Sequence, residues 1–160
     1  IFHFSPTTIV ELCTSLGMAT LYLAMPKRSA TVFTIEGCSK TLAVAEKTFA
    51  SLGLNNITGV CGDFDDTLPD VLQQGDTIDF AFVDGNHTKQ ATLQYFEWLI
   101  NKSHNDTVLV FDDIHWSPQM LEAWNEIRCH PRVTVSMDLF QIGIVFFRRE
   151  CQKQHYVVRY

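Results

Sequence analysis

Two adjacent carboxylates, Asp112 and Asp113, close the apolar run Thr107–Phe111 and are followed at once by His115 and Trp116, in the stretch V-F-D-D-I-H-W-S. Neighbouring carboxylates at the rim of a core repel each other and lose hydration, so a cation or a set of donors is needed to keep both ionised. Asp84, in V-D-G-N-H, ends the preceding apolar run and is placed to reach the same point. Three oxygen ligands on strand ends suit a hard divalent ion that keeps some of its waters, such as Mg2+. Successive strand residues alternate faces, so Asp112 and Asp113 share one ion only where the chain bends. The competing assignment has Asp113 capping a turn and Asp112 accepting backbone N–H groups. Glu36 has different chemistry: an acid at the end of the second apolar run, roughly twenty residues past the first strand-to-helix turn, suits the two hydroxyls of a ribose. G-x-G-x-x-G is absent and Gly17 alone stands in that first turn, so a pyrophosphate site is not supported.

The elements that would position these residues are regular. Thr8–Leu12, Thr31–Ile35, Ile57–Val60, Ile78–Val83 and Thr107–Phe111 are short apolar runs, as expected of strands covered on both faces. Longer helical patterns separate them. Ser39 is an expected N-cap for a helix with Leu42, Ala45, Phe49 and Leu52 on one side and Gly53 as its stop; Leu93, Phe96 and Ile100 form a similar stripe. Ser117-Pro118 opens a helix with Met120, Leu121, Trp124 and Ile127 inward. The rhythm then changes to Val133–Met137 and Phe140–Phe147, spaced as a hairpin. The expectation is one α/β domain over residues 1–160, a doubly wound, mostly parallel sheet closing in an antiparallel C-terminal hairpin.

Ligands of such sheets bind beyond the carboxyl ends of the strands. All five leading strands carry an acid at or near that end: Glu11, Glu36, Asp63, Asp84 and the Asp112-Asp113 pair. For Asp63 or Asp84 taken alone, a helix N-cap is an equal alternative. The chain has 160 residues, a formal net charge of -6 and no large Lys/Arg cluster, which argues against nucleic acid and anionic membranes as partners. No apolar segment is long enough to span a bilayer. Five widely spaced cysteines, with no C-x-x-C, suggest buried, reduced thiols and hence the cytoplasm.

In that order, V-E-L-C-T-S-L-G-M-A-T, T-I-E-G, G-D-F, F-V-D-G-N-H, V-F-D-D-I-H-W and the F-Q-I-G-I-V-F-F hairpin resemble the class I S-adenosylmethionine-dependent methyltransferases, particularly the small-molecule O-methyltransferases of the catechol and macrocin type. The resemblance covers nearly the whole chain and implies a seven-stranded Rossmann-like methyltransferase fold. It implies Glu11 and the Cys13–Gly17 turn beside the methionine part of the cofactor, Glu36 and Gly37 at the ribose, Asp63 near the adenine, Asp84 at the cofactor and, with Asp112 and Asp113, at Mg2+. His87 stands three residues after Asp84, where the catechol-type enzymes carry a lysine base, and an imidazole can accept a proton near neutrality. Cys13 replaces the family's first glycine. Helices that precede the first strand in the family have no counterpart before Thr8, so the chain is expected to be a catalytic core.

The activity this implies is methyl transfer from S-adenosylmethionine to a hydroxyl of a small-molecule acceptor, metal-assisted, with a homodimer as the assembly. Two alternatives remain: a non-catalytic binding module that keeps the fold, and a metal-dependent hydrolase using Asp84, Asp112, Asp113 and His115. His115 is equally a pocket residue or one bonded to backbone, and Trp116 a pocket wall or packing residue.

Overall fold

In the computed structural model, residue 1 and residues 4–159 are described, and they form two compact units, Ile1–Asp79 and Phe80–Tyr160. The first contains β1 (Thr8–Leu12), α1 (Met18–Ala24), β2 (Thr31–Glu36), α2 (Ser39–Ser51), β3 (Ile57–Cys61) and α3 (Phe64–Gln73). Its strands lie in the order β3-β2-β1 and are parallel, with Leu12 opposite Ile35 and Glu36 opposite Cys61. Ile9, Leu12, Val32 and Ile35 are fully buried, the continuous apolar character expected of covered parallel strands. The Leu42, Ala45 and Phe49 stripe of α2 faces inward as its spacing dictates. The N-cap of α2 is Cys38, one residue before the expected Ser39, and Gly53 takes the left-handed φ of 62° that ends the helix.

Gly17 marks a close approach of two helices in this unit. It caps α1 at φ 84°, and a Cβ there would stand 2.5 Å from Cε1 and 2.7 Å from Cζ of the buried Phe49 ring. Only glycine gives both the left-handed turn and the approach of α1 to α2.

The strand β4 (Ile78–Val83) leads into the second unit, followed by α4 (Lys89–Asn101), β5 (Ser103–Phe111), α5 (Pro118–Cys129), β6 (Val135–Leu139), β7 (Ile142–Phe146) and β8 (Gln154–Val157). The order is β4-β5-β7-β6-β8. The hairpin β6/β7 is antiparallel, β7 is antiparallel to β5, and β8 runs parallel to β6. The carboxyl ends of β5, β6 and β8 therefore share one edge. Ser117 caps α5, accepting from the Met120 N–H at 3.2 Å, and Met120, Trp124 and Ile127 are buried. Leu121 is 36% exposed and does not join them. Trp124 lies against β7 where a Cβ on Gly143 would come within 2.6 Å of the indole.

The sheet is mostly parallel and has eight strands rather than seven. Every residue of β8 is exposed, so Q-H-Y-V carries no apolar periodicity; the strand is held by backbone pairing, with the Gln154 N–H donating to the Thr134 carbonyl at 2.8 Å. The cysteines also depart from expectation. All are free, but Cys13 is half-buried and Cys38, Cys61, Cys129 and Cys151 are exposed. No described helix is long and apolar enough to cross a membrane.

Candidate functional site

In the first unit the β1–α1 loop is a sequence of sharp turns: Cys13, Ser15 and Gly17 have φ of 77°, 48° and 84°. Cys13 adopts the conformation that favours glycine, which explains the residue type the family uses there. The loop is fastened to β2: the Cys13 and Thr14 N–H groups donate to the Ile35 carbonyl at 2.9 and 3.2 Å. Beneath it Glu11 is fully buried. Its Oε2 accepts from Thr20 Oγ1 at 2.5 Å and Thr34 Oγ1 at 2.6 Å, and Thr34 in turn meets Thr14 Oγ1 at 2.6 Å. Glu11 therefore acts on the loop through threonine hydroxyls instead of presenting its carboxylate at the surface.

Glu36 presents its carboxylate at the carboxyl end of β2 and is partly exposed. Oε2 accepts the Ser15 N–H at 2.9 Å and Oε1 the Cys38 N–H at 3.0 Å. A carboxylate has about four lone-pair sites, so each oxygen keeps one for a hydroxyl. Gly37 beside it has open space where a Cβ would be. The Gly62 N–H donates to the Glu36 carbonyl at 3.1 Å, which sets the β3 end next to Glu36. Asp63 there is the N-cap of α3, accepting from the Asp65 N–H at 2.9 Å.

In the second unit the chain does bend at the acid pair: Asp113 has φ 56°, and its N–H donates to Asp112 Oδ1 at 2.9 Å. His87 Nε2 stands 3.7 Å from Asp84 Oδ1 and 3.7 Å from Asp113 Oδ2. Burial first, then the charge of Asp112, push the Asp84 carboxyl above its ordinary range, with Asp113 adding to the rise and His87 opposing it. Among the described residues, however, no group of three or more His, Cys, Asp or Glu side chains is disposed to hold a metal ion. Mg2+ at the expected ligands Asp84, Asp112 and Asp113 is therefore not shown by this arrangement. An imidazole lies between two of the acids, and Asp112 Oδ1 is turned to backbone. His115, the fourth residue of the hydrolase alternative, is directed instead to Asp138.

His115 Nε2 is 2.9 Å from Asp138 Oδ2, and its ring stacks on Phe140 with centroids 5.5 Å apart and planes 13° from parallel. Burial pushes the Asp138 carboxyl up, but the hydrogen bonds from His115 and the Phe140 N–H outweigh it and leave the group below its ordinary value. Asp138 and Phe140 were not legible as site residues. The available signal was a single acid in the half-apolar strand V-S-M-D-L.

Residues 10–114 match the family model described as a methyltransferase domain, more than half of the chain. The chain belongs to this methyltransferase family. The matched segment contains Glu11, Glu36, Asp63, Asp84, His87, Asp112 and Asp113, and ends before His115 and Asp138. Among curated proteins none matches the chain in sequence. Solved methyltransferases share its fold. The O-methyltransferase from Bacillus cereus, in complex with SAH, is 24% identical with a TM-score of 0.74, over 91% of this chain and 76% of that one. TomG, an O-methyltransferase from Streptomyces achromogenes in complex with SAM, is 20% identical with a TM-score of 0.77, over 92% and 75%. The SAH-bound methyltransferase PaMTH1 from Podospora anserina is 16% identical with a TM-score of 0.78, over 92% and 74%. This methyltransferase chain therefore has the Rossmann-like methyltransferase fold.

Proposed function

We propose that this chain, as one methyltransferase domain, transfers the methyl group of S-adenosylmethionine to a hydroxyl of a small-molecule acceptor. The observation that carries the reading is the Glu36 carboxylate, fixed by Ser15 and Cys38 N–H groups with one lone pair on each oxygen left for a ribose hydroxyl. Two solved O-methyltransferases that share the fold, from Bacillus cereus and Streptomyces achromogenes, are complexes with SAH and SAM, which agrees with that assignment. S-adenosylmethionine supplies an electrophilic methyl carbon on a sulfonium. The protein's part is alignment, worth about 7–11 kcal/mol in favourable cases. The Cys13–Gly17 turn would border the methionine moiety, with Glu11 holding the turn's shape from below. Glu36 and Gly37 would border the ribose and Asp63 the adenine, with Asp84 a further cofactor contact.

His87 is the group assigned to the proton of the acceptor hydroxyl. It takes it at Nε2, and Asp84 and Asp113 flank the imidazolium that results. The free thiols suit a reducing compartment such as the cytoplasm, and a homodimer is the proposed assembly.

Calorimetric titration of S-adenosylmethionine and S-adenosylhomocysteine tests the donor assignment. Saturable binding is expected, weakened about tenfold or more in Glu36→Gln; equal affinity in wild type and Glu36→Gln would sink it. Retention of binding with no transfer to any hydroxylated acceptor, and no effect of His87→Asn, would instead favour a binding module.

A further inference from the structure

The second unit contains a cavity of about 620 Å3 lined by His115, Asp138, Phe140, Val157, Val158 and Arg159. It lies at the shared carboxyl edge of β5, β6 and β8, outside the segment matched to the family, and one wall follows the additional strand. We propose that this cavity binds a planar aromatic carboxylate and serves as the subsite for the anionic end of the methyl acceptor. As an acceptor subsite it rests on the methyl-transfer reading; as a binding site it does not.

Its volume falls within the roughly 300–1,000 Å3 range of small-molecule pockets. Phe140 is 65% exposed although it is a large apolar ring, and it is held there at φ 70° by a turn whose N–H is bonded to Asp138 Oδ1 at 2.9 Å. A bulky side chain at positive φ is costly, and such strain concentrates where a side chain must be presented. One face of Phe140 is covered by His115, and a second flat ring would extend that stack. Val157 and Val158, 56% and 39% exposed, add apolar wall.

The charge of the ligand follows from the lining. Asp138 is already engaged by His115 and by the Phe140 N–H, which leaves the Arg159 guanidinium as the cation offered to a guest. One guanidinium matches one carboxylate in fork geometry better than a dianion. A smaller pocket of about 170 Å3, lined by Asp113, His115, Trp116, Phe140 and Gln141, shares His115 and Phe140 with the cavity. It brings the site to Asp113, the acid 3.7 Å from His87. A ring seated on Phe140 can thus direct a hydroxyl toward His87 while its carboxylate stays at Arg159.

The test is calorimetric titration of 2-naphthoate, neutral 2-naphthamide and the saturated decahydronaphthalene-2-carboxylate into wild type, Arg159→Gln and Phe140→Ala. Wild type is expected to bind 2-naphthoate saturably and the other two about tenfold more weakly. Arg159→Gln should abolish the preference over the amide, and Phe140→Ala the preference over the saturated acid. Absence of saturable 2-naphthoate binding, or preferences unchanged in both variants, would overturn the proposal. S-adenosylmethionine titrated into the same samples separates the two readings. Naphthoate bound without cofactor overturns the donor assignment alone, and cofactor bound without naphthoate overturns the subsite alone.

Discussion

The strand-end acids of the first unit are engaged by donors of their own neighbourhood: Glu11 by two threonine hydroxyls, Glu36 by two backbone N–H groups and Asp63 by the N-terminus of α3. In the second unit Asp84, Asp112 and Asp113 crowd together, with His87 near two of them. The first arrangement is pre-organised: its carboxylates are oriented before any ligand arrives, and their orientation fixes the loops. The second retains unbalanced charge, visible in the Asp84 carboxyl that burial and its acidic neighbours push up. Acids at equivalent strand ends are therefore tied down by donors in one unit and crowded against each other in the other.

The most damaging change should be Gly17→Ala in the first unit. It sets a β-carbon against the Phe49 ring and forces alanine into a left-handed turn. Overpacking of this kind costs about 1–3 kcal/mol, to which the conformational penalty of about 1–2 kcal/mol adds. Urea denaturation should show the loss; an unchanged midpoint would mean that α1 does not pack as closely as described.

Neutralising one acid in each unit should sharpen the contrast, because the two effects have opposite sign. Glu11→Gln replaces a buried acceptor of two hydroxyl donors by an amide and should destabilise by about 1–3 kcal/mol. Asp84→Asn should stabilise, by less than about 1 kcal/mol once solvent screening is allowed for. The pH dependence gives the sign independently. The folded Asp84 carboxyl titrates above its ordinary value of 3.8, so its relative stabilisation of the native state is complete below that value and is lost as pH rises through the raised one. The advantage of Asp84→Asn should accordingly vanish below about pH 3.8 and be full near neutrality. Destabilisation at neutral pH would show that Asp84 is compensated after all.

The contrast also explains what could be read in advance. Strands β1, β2, β4 and β5 are legible because burial demands apolar runs, and Glu36 and Asp84 because they are polar residues at the ends of such runs. Strand β8 is not legible, since an exposed edge strand places no demand on side-chain type. Asp138 is hidden for a related reason. Its partner His115 is 23 residues away, and a hydrogen bond across that distance leaves no local pattern. The cysteines mislead because apolar sequence neighbours do not imply burial: Cys129, at the last position of α5 and two residues beyond the buried Ile127, is exposed.

The smallest structural effect is expected at Gly37, and it gives the cleanest test of pre-organisation. A Cβ there meets nothing within 4 Å, and the residue is not in a left-handed conformation, so Gly37→Ala should leave the melting temperature almost unchanged. The same methyl group would enter the space beside Glu36 that the nucleoside is proposed to fill. A loss of S-adenosylmethionine affinity of about tenfold, near 1.4 kcal/mol, with intact stability would assign that space to ligand alone. Equal affinity would move the nucleoside away from the β2 end, and the oriented Glu36 carboxylate would then be a loop tether like Glu11.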